Sequence, residues 1–217
     1  MKKFFLIIST LMLLCALWLL AKPSMSEIGI AYAQHAEDGQ ALTVTWFGVT
    51  TLLIDDGVTQ ILIDGYFSRP SLLDIALERT IEPDLAAIKG MLDRFEINRL
   101  KAVIPVHSHF DHALDSAEIA KQTGAQLMGS TTTAQVAAGS NLATHQVSVI
   151  ETKTVYPVGA FEVTFYPSKH APLASNSAIS GTVAAPLTLP APYTAWKLGQ
   201  AYTLVITHPK GRMLIQG

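Results

Sequence analysis

Apolar and polar positions alternate with three different periods along this chain. Residues 4–21 form an uncharged, apolar run behind Lys2 and Lys3, with no polar face. From Leu42 onward the apolar positions come in short groups. Leu42, Val44 and Trp46 alternate with threonines, which predicts a half-buried strand. Residues 51–54 and 60–64 predict two further strands, joined by the hairpin signal Asp56-Gly57. Ser71 with Asp74 resembles a capping box and predicts a short helix. Leu85, Ile88, Leu92 and Phe95 recur at helical spacing behind Pro83. Residues 102–106 read as a buried strand and 114–123 as a helix closed by Gly124. A strand at 126–128, a helix around 132–138 and strands at 146–150 and 161–166 follow. Phe161, Val163 and Phe165 fall on one face of the last.

Residues 171–200 break this rhythm. They hold Pro172, Pro186, Pro190 and Pro192 among many small residues, and predict a long irregular loop that is either a cover for a site or a variable insertion. A hairpin at 202–206 and 213–215 closes the chain. The alternation of strands and helices suits an α/β sandwich.

The leading run has the form of a charged n-region and an apolar h-region. Small-x-small sites follow at Ser24-Met25-Ser26 and Ala31-Tyr32-Ala33, so residues 1–33 are expected to be a cleaved signal peptide or an N-terminal membrane anchor with its linker. Either reading exports the body, 34–217, to a periplasmic or other extracytoplasmic location, with membrane association through residues 4–21 if the anchor is retained. The only cysteine, Cys15, lies within the run behind Leu14, where a lipoprotein signal needs a small residue. The body therefore has neither disulfide nor thiolate ligand, and any metal must be held by imidazole and carboxylate. A net charge of −2 offers no basic field for nucleic acid.

The chemistry concentrates at His107-Ser108-His109-Phe110-Asp111-His112, directly after a buried strand. His107 and His109 are two residues apart, so an extended backbone points both the same way, where they can share a metal. Asp111 and His112 follow in the turn and can reach a second position. A single His-x-His would be a weak signal; three histidines and an aspartate at the end of a strand are a strong one. Neutral imidazole with carboxylate suits zinc, and a catalytic site keeps one position open for water.

This hexapeptide resembles the His-x-His-x-Asp-His signature of the metallo-β-lactamase fold superfamily, and the resemblance runs from about Leu42 to Gly217. It implies an αββα sandwich. Ile61-Leu62-Ile63-Asp64-Gly65 resembles the superfamily's first motif, in which an aspartate supports the metal site from outside the ligand set. Tyr166-Pro167-Ser168-Lys169-His170 resembles the segment carrying the third histidine of the first metal. Trp46-Phe47-Gly48 through Gly65 looks most like the branch of L-ascorbate-6-phosphate lactonase and N-acyl-phosphatidylethanolamine phospholipase D.

The resemblance implies that His107, His109 and His170 hold a first metal. Asp111 and His112 hold part of a second, and Asp111 also orients water and takes its proton. It implies one or two Zn2+ ions, with Mn2+ or Fe as substitutes, and hydrolysis of an ester, phosphodiester or lactone in a small-molecule or lipid substrate. A metal-binding protein of the same fold without turnover is the alternative, and a redox diiron use a weaker third. The family's bridging carboxylate and last histidine have no counterpart before Gly217. The domain is therefore expected to be incomplete at its C-terminus, to bind a second metal weakly or not at all, and to leave apolar sheet surface exposed. Asp64 otherwise caps a turn. His208, in a hairpin turn, is expected to be solvated. Trp196 and Tyr193 are expected to serve packing before they line a pocket.

Overall fold

A computed structural model describes residues 2–20, 42–171 and 178–217. The small-x-small sites and the whole of the 22–40 linker lie outside the described residues. The apolar run forms a helix, α1 (Lys2–Leu20), on which Ile7, Leu11, Met12, Leu13, Leu14 and Leu17 are exposed. Among the described residues no helix is long and apolar enough to cross a membrane.

The body follows in chain order. It opens with β1 (Thr43–Trp46), β2 (Leu52–Asp55) and β3 (Gln60–Ile63), then α2 (Leu72–Ala76), β4 (Thr80–Ile81) and α3 (Leu85–Arg94). Next come β5 (Leu100–Ile104), α4 (Phe110–Ala113), α5 (Ser116–Thr123), β6 (Gln126–Gly129), α6 (Thr131–Gly139) and β7 (Val147–Val149). The last third holds β8 (Val155–Val158), β9 (Phe161–Ser168), β10 (Ala191–Pro192), β11 (Ala201–His208) and β12 (Gly211–Gln216).

Two sheets result. One has six strands in the order β1-β2-β3-β5-β6-β7, antiparallel as far as β3 and parallel beyond it. The other has four antiparallel strands in the order β12-β11-β9-β8. Strand alternation builds two cores from the same strands. Ile61, Ile63, Ala102 and Ile104 face the second sheet, where they meet Phe161, Val163, Phe165, Leu204 and Ile206. Leu53, Leu62, Val103 and Leu127 face the other way, onto Ile88 and Met91 of α3, Ile119 of α5 and Ala137 of α6. Each fully buried side chain of this size contributes about 1.5–3 kcal/mol. The result is an α/β sandwich, with its helix layer on the six-stranded sheet. The outer face of the four-stranded sheet presents Glu162, Tyr166, Arg212 and Leu214 to solvent, a mixed surface and not a continuous apolar one.

Local chemistry explains the boundaries. Ser71, Asp84 and Ser130 each accept a backbone N–H from the first turn of the helix they precede. Gly124 ends α5 in the left-handed region at φ 73°, as expected of a residue without Cβ.

β1 departs from its pattern. Thr45 is buried, whereas Val44 and Trp46 are 45% and 56% exposed. Thr45 pairs with Leu53, on the helix side of the sheet, and Val44 with Ile54, on the sandwich side. β1 is the edge strand, so these apolar residues have no strand beyond them to pack against. The 171–200 segment also departs from expectation. Its described part, 178–200, is a packed strap: β10 pairs with β4, and Leu187, Ala191 and a fully buried Trp196 join Tyr66, Leu114 and Val136 in a third core. His208 is not solvated. It is buried, its Nε2 3.3 Å from Asp56 Oδ2 and its ring against Phe161, so it ties the β2–β3 turn to the second sheet.

Candidate metal centre

β5 ends at Ile104, and Pro105 and Val106 carry the chain to His107. His107 and His109 point to one side, with His107 Nε2 3.0 Å from His109 Nδ1. Ser108, between them, points to the other. Its hydroxyl lies 2.9 Å from Thr133 Oγ1 and 3.3 Å from Ser130 Oγ, at the capped start of α6. The backbone turns into α4 immediately after His109, which brings His112 back over the cluster, its ring centroid 3.8 Å from that of His107. His170 follows β9 and its ring stands 4.8 Å from His107 and 4.9 Å from His109. Ligand atoms of His107, His109 and His170 all lie within 4.8 Å of one another. Asp111 sits at the mouth, its side chain 39% exposed and its carboxylate 3.7 Å from His112 Nε2. Asp64 is fully buried beneath, and its carboxylate accepts from His112 Nδ1 at 2.9 Å and from Val106 N at 2.8 Å.

The outer nitrogen of three rings is occupied. His109 Nε2 reaches Ile179 O at 3.2 Å, His170 Nδ1 reaches Ala171 O at 2.7 Å, and His112 Nδ1 faces Asp64. Donating there fixes the tautomer and leaves a lone pair on His109 Nδ1, His170 Nε2 and His112 Nε2. Burial, reinforced by repulsion from His112, His109 and His170, pushes His107 down to about 2, so it stays neutral. Burial also lowers His109. For His112 burial acts downward too, but the hydrogen bond and charge of Asp64, with the charge of Asp111, outweigh it and raise the imidazole. His107 Nδ1 is buried without a hydrogen-bond partner. Lone pairs of several imidazoles converge on one space, where a divalent cation would accept them at once. The donor set thus fits a metal ion at His107, His109 and His170.

Sequence reasoning missed three contributors. Thr50 Oγ1 lies 3.1 Å from His112 Nδ1. It is carried by a loop where Val49 takes φ 50°, an unusual conformation for a β-branched residue that is common near functional sites. The other two are the backbone carbonyls of Ile179, which orients His109, and of Leu198, which accepts from Ser108 N. None is identified by residue type, so a sequence pattern offers no signal for them.

The His-x-His-x-Asp-His signature and the two-sheet architecture agree with the resemblance to the metallo-β-lactamase fold superfamily. No family model matches it. Among curated proteins it is similar to two that are each described as a UPF0173 metal-dependent hydrolase. The relative from Pyrobaculum islandicum is 29% identical over 90 residues, covering 41% of this chain and 32% of the relative. The relative from Heliobacterium modesticaldum is 28% identical over 123 residues, covering 57% and 44%. The chain thus spans less than half the length of these curated relatives. Among solved structures it is similar to Igni18, a metallo hydrolase from the archaeon Ignicoccus hospitalis, at 16% identity and TM-score 0.46, over 80% of this chain and 59% of that one. It is also similar to BJP-1, a subclass B3 metallo-β-lactamase of Bradyrhizobium japonicum, at 16% identity and TM-score 0.44, over 81% and 58%.

Proposed function

We propose that the protein is a zinc-dependent hydrolase that activates water at the His107–His109–His170 cluster and cleaves an ester, phosphodiester or lactone. The observation that carries the reading is the convergence of three imidazoles, two of which, His109 and His170, already have their outer nitrogens committed to acceptors. The curated relatives' description as metal-dependent hydrolases agrees with it. A bound zinc ion would lower the pKa of water toward ~7 and polarise the scissile carbonyl or phosphoryl group.

The chain's own residues supply the rest. Asp64, by holding His112 and the backbone at Val106, fixes the end of β5 from which the first two ligands hang. Asp111 presents its carboxylate at the mouth, where it can accept a proton from an entering water and hand it to the leaving group. His112 and Asp111 stand ready as partial ligands for a second ion. Mn2+ or Fe would fit the same donors.

We further propose that α1, which opens with Lys2 and Lys3, directs export; a signal h-region is shorter than a membrane span. Fractionation of cells expressing the chain tests this, and recovery of all of it from the cytosol with residues 1–33 intact would refute it.

The test of the hydrolase reading is turnover of bis(p-nitrophenyl) phosphate and p-nitrophenyl acyl esters by the zinc-loaded chain. Chelator-sensitive hydrolysis that disappears in Asp111→Asn supports it. Tight metal binding without turnover of any of these substrates favours a metal-binding protein of the same fold.

A further inference from the structure

Resting on that hydrolase reading, we infer that the site takes a neutral ester or lactone whose apolar group, an acyl chain or aryl ring, seats on a shelf formed by Phe110 and Tyr193. Phe110 stands inside the signature, between a metal-cluster histidine and Asp111, and packs its inner side on the core that holds Trp196. Its ring is only half-buried, and it stacks edge-on against Tyr66 at 6.0 Å and Tyr193 at 5.8 Å. Tyr66 is buried, and its hydroxyl is held protonated, first by burial and then by the charges of Asp111 and Asp115. The shelf therefore runs as one row of rings from beside the mouth carboxylate onto the strap.

The strap sets the chemistry of the shelf. Residues 178–196 contain no charged side chain. Lys197, which follows, gives its ammonium to Ala178 O, and Arg69, which lies against the Tyr66 ring, gives its guanidinium to Phe47 O. Neither of these cations is directed at an anionic group over the shelf. Trp196, Leu114 and Val136 pack solidly underneath, so the rings are held before a ligand arrives and little ordering entropy is lost on binding. Aromatic faces that are fixed, half-exposed and uncharged recognise hydrocarbon, and a phosphodiester would find its charge unmatched there. Lys169, exposed beside His170, is the residue an anionic substrate would use instead, and this defines the opposing outcome.

Straight-chain hydroxamates from acetohydroxamate to octanohydroxamate, titrated calorimetrically into the zinc-loaded chain, read the shelf without turnover. Affinity is expected to rise about two- to fourfold per added methylene and to flatten in Phe110→Ala and in Tyr193→Ala. The second variant lies outside the signature and keeps the test valid if the first folds poorly. Binding of every hydroxamate with no dependence on chain length overturns the inference and leaves the metal site standing. Failure to bind acetohydroxamate at all overturns the metal reading, and the inference with it. A preference for bis(p-nitrophenyl) phosphate over p-nitrophenyl butyrate that is lost in Lys169→Ala also overturns the inference.

Discussion

Asp64 and His112 are joined by a carboxylate–imidazole hydrogen bond of 2.9 Å, buried beneath the histidine cluster. The same carboxylate accepts from Val106 N, and Asp64 itself takes φ 62°, which an aspartate tolerates better than most residues. One side chain thus orients a ring and anchors the strand end that carries two more. Replacing Asp64 by Asn keeps an acceptor for one donor and loses the charge. Zinc affinity, measured by competition with a chromophoric chelator, is expected to fall about 10–100-fold. Unchanged affinity would remove Asp64 from the account.

Asp115 provides a pH signature separate from the metal. Its carboxylate accepts from Phe67 N and Ser68 N, at 2.6 and 2.7 Å, and is wholly buried. Burial dominates these contacts and lifts the group to about 6 from an ordinary 3.8. A carboxyl whose folded value is raised contributes stability in full below pH ~4, and that contribution fades as pH rises through ~6. The buried neutral histidines act in the opposite sense, so the comparison must be with Asp115→Asn. The urea midpoint of the parent chain should fall relative to that variant between pH 4 and 7. A constant difference across that range would contradict the assignment.

The strap over the site depends on a glycine. A Cβ at Gly139 would stand 1.9 Å from the backbone oxygen of Leu187, and Leu187 N donates to Gln135 O one turn earlier. Gly139→Ala is expected to cost more than about 2 kcal/mol or to push the strap off α6. Limited proteolysis should then cut within 178–200 faster than in the parent chain. Equal rates and equal stability would mean that the strap does not rest there.

His208 and Asp56 hold the far end of the sandwich. His208 Nδ1 accepts from Lys210 N, and Nε2 faces the Asp56 carboxylate, which also caps the turn at Val58 and Thr59. Those turn contacts and His208 hold Asp56 below its ordinary value against the opposing effect of burial. The stability it contributes is therefore present above pH ~4 and lost as pH falls lower. His208→Ala leaves a buried carboxylate short of a partner and should cost about 2–3 kcal/mol by chemical denaturation. A loss below 0.5 kcal/mol, the range of ordinary surface changes, would return His208 to the solvated role its position suggests.

Much of this architecture is legible in the sequence because single residues report it. Ile61 and Ile63 against Leu62 give the two faces of a doubly covered strand, and Gly124 gives a helix end. The spacing of His107 and His109 gives two ligands on one side. What escapes is what depends on partners distant in the chain. Val44 and Trp46 have the alternation of buried residues, but edge position decides their exposure. His208 sits in a turn by local pattern, and only the packing of one sheet on the other buries it. The strap has no period because its order comes from a two-residue pairing with β4 and from Trp196 filling a hole between α4 and α6. His170 has no neighbouring histidine, yet its place after a strand marks it in the sequence as the third ligand, and the end of β9 does bring its ring to the others.

The central claim is that His107, His109 and His170 form one metal site. Metal analysis after equilibrium dialysis against zinc, on the parent chain and on His109→Ala and His170→Ala, tests it most directly. The account predicts one tightly held ion per parent chain and at least a hundredfold weaker retention in each variant, with the fold retained by circular dichroism. A parent chain that retains no zinc, or variants that retain as much as the parent, would contradict it.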